Sequence, residues 1–126
     1  MTKYKAKPVV KTFPDGSSIR FDSMAEAAYW EKMNADEDPF DFHPCQYFTI
    51  EGGVYRPDYY FPKAGCYVEV KGVETPMWRR TRKQLKERYP NLRLLIVYGR
   101  ADKKRGFVTE KQEWLNPTTD TEAGSQ

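Results

Sequence analysis

The chain has 126 residues, a net charge of +3 and 39% hydrophobic residues. That length fits one domain able to bury a real core without disulfides or structural metals. No apolar run is long enough to cross a bilayer and no charged-then-apolar leader opens the chain, so a cytoplasmic, membrane-free setting is expected.

Two cysteines, Cys45 and Cys66, do not make a disulfide scaffold. Their apolar, strand-like surroundings predict buried free thiols. His43, Cys45 and Cys66 match no zinc spacing and lack a fourth ligand, so His43 reads as a strand or loop residue without a catalytic duty. The charge is unevenly spread. Residues 79–105 hold eleven Lys or Arg against two acids, a local +9 that leaves −6 for the remainder. That split predicts a basic face for a polyanion and an acidic cluster elsewhere.

Residues 1–7 read as a polar, mobile arm. Val9–Phe13 and Ser18–Phe21, joined by Pro14-Asp15-Gly16-Ser17, predict a hairpin. Ser23 followed by Glu26 has capping-box spacing and predicts a helix to about Asn34, carrying Ala27, Tyr29, Trp30 and Met33. The acids and Pro39 end it. Residues 40–50 are aromatic and β-branched and predict one strand, with Pro44 confining part of it to an edge. Gly52-Gly53 makes a tight turn.

Residues 55–72 then predict two strands joined by Pro62-Lys63-Ala64-Gly65. Asp58 lies on the first, and Glu69 and Lys71 on the second. Alternation puts Glu69 and Lys71 on one face and Val70 on the other. If the hairpin closes, two carboxylates and an ammonium converge, which suits a hard divalent cation beside a water.

Thr75-Pro76 starts a helix over Met77–Tyr89. Trp78, Leu85 and Tyr89 share a face, while Arg79, Arg80, Arg82, Lys83, Lys86 and Arg88 fill most of the rest. Leu92–Tyr98 is a nearly continuous apolar run and predicts a central strand covered on both faces, parallel to its neighbour after a helical crossover. Gly99–Gly106 reads as a basic loop, Thr109–Leu115 as a short helix, and 116–126 as a disordered tail. The domain is thus 1–115.

Each of these charged residues also has a plain structural reading. Glu69 and Lys71 can be a surface ion pair, Glu26 a capping residue, Asp58 a loop residue, and the basic helix a solvated face. Their joint order carries more information. Glu26 on a first helix, Pro57-Asp58 on one strand, Glu69-Val70-Lys71 on the next, and a basic helix behind them resemble the PD-(D/E)xK nuclease superfamily over about Phe21–Tyr98. Within it, Phe21-x-Ser23-x-x-Glu26, Pro57-Asp58-Tyr59 and Glu69-Val70-Lys71-Gly72 are similar to the endonuclease I family of phage Holliday-junction resolvases. A group of small phage nucleases shares the same motifs.

The resemblance implies an α/β (α+β) fold, a restriction-endonuclease-like core with a mixed β-sheet flanked by helices in the order αβββαβ, here with an added N-terminal hairpin. It implies a Mg2+-dependent DNA endonuclease, with Mn2+ able to substitute, no small-molecule cofactor, branched or duplex DNA as partner, and a homodimer. A phage-encoded member would act in the host cytoplasm. Glu26, Asp58, Glu69 and Lys71 would be catalytic. Asp58, Glu69, the Val70 carbonyl and Glu26 would hold metal, and the six bases of the 79–88 helix would meet DNA. Asp41 and Gln84 are further candidates: a shorter counterpart of the family's additional acid, and a site-supporting amide. Two other readings stay open: a generic or nicking endonuclease, and an inactive nuclease fold that binds DNA or protein. An RNA-binding module lacks the usual aromatic or glycine-rich signatures.

Overall fold

The structure is a computed structural model that describes residues 7–36 and 38–117. Most of the expected arm and tail lies outside the described residues. Asn116, placed in the tail by composition, is tied in: its Nδ2 donates to the carbonyls of Tyr89 and Leu92.

The described chain is an α+β protein with two helices. Strands β1 (Val9–Thr12) and β2 (Ser18–Phe21) form the N-terminal hairpin. Helix α1 (Met24–Asn34) follows at once, because Ser23 caps it by accepting the Glu26 N–H at 3.0 Å. A main sheet then collects β3 (Asp41–Phe42), β6 (Tyr59–Phe61), β7 (Cys66–Lys71), β8 (Leu94–Asp102) and β9 (Gly106–Trp114), in that spatial order. Only β7 and β8 pair in parallel, and helix α2 (Pro76–Arg88) is their crossover. Strands β4 (Phe48–Ile50) and β5 (Gly53–Tyr55) form a separate ribbon.

Alternation along the strands divides the core into two layers. Val68 and Val70 of β7 pack with Ala28 and Tyr29 of α1. On the opposite face, Leu94, Ile96 and Tyr98 of β8 meet Trp78 and Leu85 of α2, seven residues apart on one helical face. Phe48 and Ile50 of the ribbon cover the same layer. Each fully buried side chain of this size contributes about 1.5–3 kcal/mol.

Several expectations are corrected. The 40–50 stretch is two strands, because His43, at φ 52°, and Pro44 break it. The expected strand through Asp58 is interrupted at 56–58, so Asp58 lies in the bend before β6. The loop over 99–106 shrinks to a turn at 103–105, where Asp102 accepts the N–H groups of Lys104 and Arg105. The helix over 109–115 is instead part of β9. Lys, Gln and Glu there favour a helix in isolation, but the exposed edge of β8 supplies an antiparallel ladder. Gly99 sits at an irregularity of that ladder, and a Cβ there would lie 2.4 Å from the Phe107 ring and the Val108 carbonyl. Cys66 is buried, but Cys45 is exposed, because the broken strand carries it out of the sheet.

Among the described residues, no helix is long and apolar enough to cross a membrane.

Candidate active site

A cleft of about 240 Å³ opens at the C-terminal end of β7. Asp22, Ser23 and Glu26 reach it from the start of α1, and Asp58 from the bend before β6. Glu69, Val70 and Lys71 come from β7, and Gly72, Val73 and Thr75 from the connection into α2. Glu26, Asp58, Glu69 and Lys71 are thus brought together, although they come from three separate parts of the chain.

Each is held by its neighbours. Glu26 is 4% exposed, and its Oε2 accepts the Asp22 N–H at 3.3 Å. The capping box therefore closes one residue earlier than its sequence form, which leaves the Glu26 carboxylate turned into the cleft. The hydroxyl of Tyr59, on β6, donates to the Glu26 carbonyl at 2.8 Å and ties α1 to the sheet. Asp58 Oδ2 accepts the Val70 N–H at 2.8 Å. Glu69, 5% exposed, accepts the Tyr55 hydroxyl at 2.5 Å on Oε1 and lies 3.2 Å from Lys71 Nζ through Oε2. The Lys71 ammonium also stands 4.6 Å from the centre of the Trp78 ring, a cation–π contact that fixes its stem.

The Val70 carbonyl follows from strand geometry. Tyr67 N–H donates toward β8, to Arg93, so odd positions of β7 bond to that side and even positions to the other. Val70 therefore directs both its N–H and its C=O toward Asp58, beyond the end of β6.

The electrostatics are one-sided. Four acids and one lysine line the cleft among the described residues. Desolvation, then the charges of Glu69 and Glu26, hold the Asp58 carboxyl well above its ordinary range, and the Val70 N–H opposes the shift. Desolvation also raises Glu69, against the pull of Lys71 and Tyr55. The Tyr55 hydroxyl is pushed up by burial and by Glu69, so it stays a donor. A cluster of buried oxygens short of positive charge, with a backbone carbonyl beside it, matches the donor set of a hard divalent cation. Glu26, Asp58, Glu69 and the Val70 carbonyl supply oxygen donors of that class, and among the described His, Cys, Asp and Glu residues the set with ligand atoms mutually within 4.8 Å is Asp22, Glu26 and His43.

The other candidates lie elsewhere. Asp41 is exposed on β3 and lines no part of the cleft; its neighbour Phe42 takes the inward position against Phe21 and Tyr59. Gln84 Oε1 accepts the Glu51 N–H at 2.6 Å and so fastens the β4–β5 turn to α2. Of the basic residues, Arg79, Arg82, Lys83 and Lys86 line a second groove, about 440 Å³, between α2 and the end of β9 at Glu113 and Trp114, with Leu115 just beyond it. Arg80 and Arg88 are exposed outside it. Arg82 is engaged: its guanidinium lies 2.8 Å from Glu74 and 2.9 Å from Glu113, and it donates to the Tyr98 hydroxyl at 2.9 Å.

Three groups escaped the sequence reading. Tyr55 was visible only as a strand residue. Asp22 stands directly before the cap, where an acid is unremarkable. His43 Nε2 lies 3.6 Å from Glu26 Oε1, and the ring is stacked on Phe42 with centres 3.8 Å apart. The one available signal for His43 was the following proline, which foretold a break but not its direction.

Comparison with protein-family models, with curated proteins and with solved structures finds no match for this chain.

Proposed function

We propose that this protein is a Mg2+-dependent DNA endonuclease of the PD-(D/E)xK type, selective for branched DNA and acting as a homodimer. The observation that carries this reading is the meeting of Glu26, Asp58, Glu69 and Lys71 in one negatively charged cleft. The basic face of α2 begins one helical turn from it.

A bound divalent cation would supply an activated water and neutralise phosphate charge. The chain's own groups account for the rest. Asp58 is oriented by the Val70 N–H through Oδ2, and Glu69 by the Tyr55 hydroxyl through Oε1 and by Lys71 Nζ through Oε2. Lys71 Nζ, held between Glu69 and the Trp78 ring, is placed to donate to a phosphate oxygen or to position a water. Arg79, Lys83 and Lys86 recur along one stripe of α2, and such side chains contact phosphates without reading bases. Cutting a junction on two opposed strands needs two clefts, which is the reason for the dimer.

The test is to incubate the protein with a four-way junction, a linear duplex and single-stranded DNA, with Mg2+ or with chelator, beside Lys71→Ala. Paired cuts confined to the junction, lost on chelation and in the variant, are expected. Equal cutting of the linear duplex would remove the selectivity for branches. No cutting of any substrate with Mg2+ or Mn2+ would overturn the nuclease reading in favour of a binding module.

A further inference from the structure

At the α1 edge of the cleft, Asp22, Glu26 and His43 each present a ligand atom within 4.8 Å of the other two. Asp22 is exposed and its Oδ1 also accepts from Arg20 Nη1 at 3.3 Å, the His43 side chain is 37% exposed, and Glu26 is the buried member. The Glu26 side chain is 5% exposed, and its Oε1 faces His43 Nε2 at 3.6 Å, too far for a hydrogen bond. Two ligand atoms held at about 2.1 Å from one cation are about 3.0 Å apart at right angles and about 4.2 Å apart across it, and 3.6 Å falls between. The imidazole is fixed from two sides. Its ring stacks on Phe42, and its backbone N–H donates to the Asp58 carbonyl at 2.8 Å. It does so from φ 52°, a left-handed conformation uncommon outside glycine that aims the ring back toward α1.

We propose that Asp22, Glu26 and His43 form a second cation position that prefers a divalent transition metal such as Mn2+ or Zn2+ to Mg2+. Glu26 is common to this position and to the carboxylate cluster of Asp58 and Glu69. The preference follows from the nitrogen ligand: imidazole binds borderline cations well, whereas Mg2+ favours oxygen and water. The proposal concerns binding alone, so a failure of the protein to cut DNA does not bear on it.

His43 is the only histidine in the chain, so its ring signals are unique in an NMR spectrum of tag-free protein. At one slightly alkaline pH, Zn2+ should shift the Nε2 resonance more than Nδ1, and Mn2+ should broaden the ring protons. Mg2+ should leave them in place. Asp22→Asn should weaken Zn2+ binding about tenfold, whereas a cation held by an exposed imidazole alone would not register the change. Ring signals that ignore Zn2+ and Mn2+, or unaltered Zn2+ affinity in correctly folded Asp22→Asn, would overturn the proposal.

Discussion

Two clusters of charge adjoin α2, and they are built on opposite terms. In the cleft, Glu26, Asp58 and Glu69 crowd together with Lys71 as the one lysine among the lining groups. One helical turn along, Arg82 stands between Glu74 and Glu113 and also meets Tyr98. The second cluster pairs its charges, with the buried Glu74 Oε1 held by ion pairing to Arg82 rather than by a well-aligned hydrogen bond. The first does not balance its acids, and burial raises the carboxyl affinities of Asp58 and Glu69 for protons. Both clusters read in sequence as acids and bases at strand and helix positions. Only the ratio of charges within each separates an ion-pair network that ties elements together from a cleft with acids in excess.

The largest effect should come from removing charge in the cleft. Glu69→Gln and Lys71→Ala should each lower cleavage by about two to four powers of ten while the protein stays folded. Asp58→Asn should do the same and, without metal at neutral pH, raise stability by about 1 kcal/mol, because it removes a poorly solvated negative charge. Gain of stability with loss of activity is the signature of a site built for its ligand. Junction cleavage and denaturant melts on the same preparations check both halves; undiminished turnover in purified Glu69→Gln would sink the assignment.

Arg82→Ala should behave in the opposite way. It leaves Glu74 and Glu113 without their partner and should cost about 1–2 kcal/mol of stability, a figure kept small because all three side chains are about a third exposed. Lys83→Ala, on the same groove, should change stability by less than about 0.5 kcal/mol and lower the salt slope of DNA binding by about one. Equal stability losses in the two variants would show that Arg82 is not the tie described above.

The contrast also has a pH dependence. Asp58 and Glu69 have folded affinities raised above those of the unfolded chain. Their contribution is therefore fully present below the ordinary carboxylate range and is lost as pH rises through the raised values. Metal-free protein should weaken across that window. Under the proposed function Mg2+ would bind the ionised form and offset the repulsion, so the rise in Tm on adding Mg2+ should grow with pH. Thermal melts with Mg2+ or chelator at several pH values would show this, and a metal-induced rise independent of pH would contradict it.

How much of this could be read beforehand depended on whether the signal was local. The Ser23 cap, the Pro62–Gly65 turn and the Pro76 start of α2 are set by near neighbours, and the structure has them where the sequence predicts. The alternation of Glu69, Val70 and Lys71 likewise places the two charged groups on the Trp78 face and Val70 on the α1 face. What failed was set at a distance. Strand β9 forms because β8 offers an edge, although its own Glu-Lys-Gln-Glu stretch favours a helix. His43 reaches Glu26 only because the chain reverses at a φ that no nearby glycine announces. The convergence of Glu26 with Asp58 and Glu69 came from order and resemblance, since no spacing rule connects residues so far apart.

Gln84 gives the smallest effect and the finest discrimination. An amide on the helix after a Glu-x-Lys strand invites assignment to the site, yet its Oε1 is spent on the Glu51 N–H, at the turn between β4 and β5. The same ribbon is held independently, by the Tyr89 hydroxyl donating to the Thr49 carbonyl and by Phe48 packing edge-on against Tyr89. Because the Gln84 bond is exposed and has this support, Gln84→Ala should cost only about 0.5 kcal/mol and should alter cleavage by less than about twofold. Hydrogen exchange should quicken at Glu51 and nowhere near Asp58. A tenfold fall in cleavage at unchanged stability would instead mean that the ribbon governs the cleft through α2, by way of the Trp78 ring that holds Lys71.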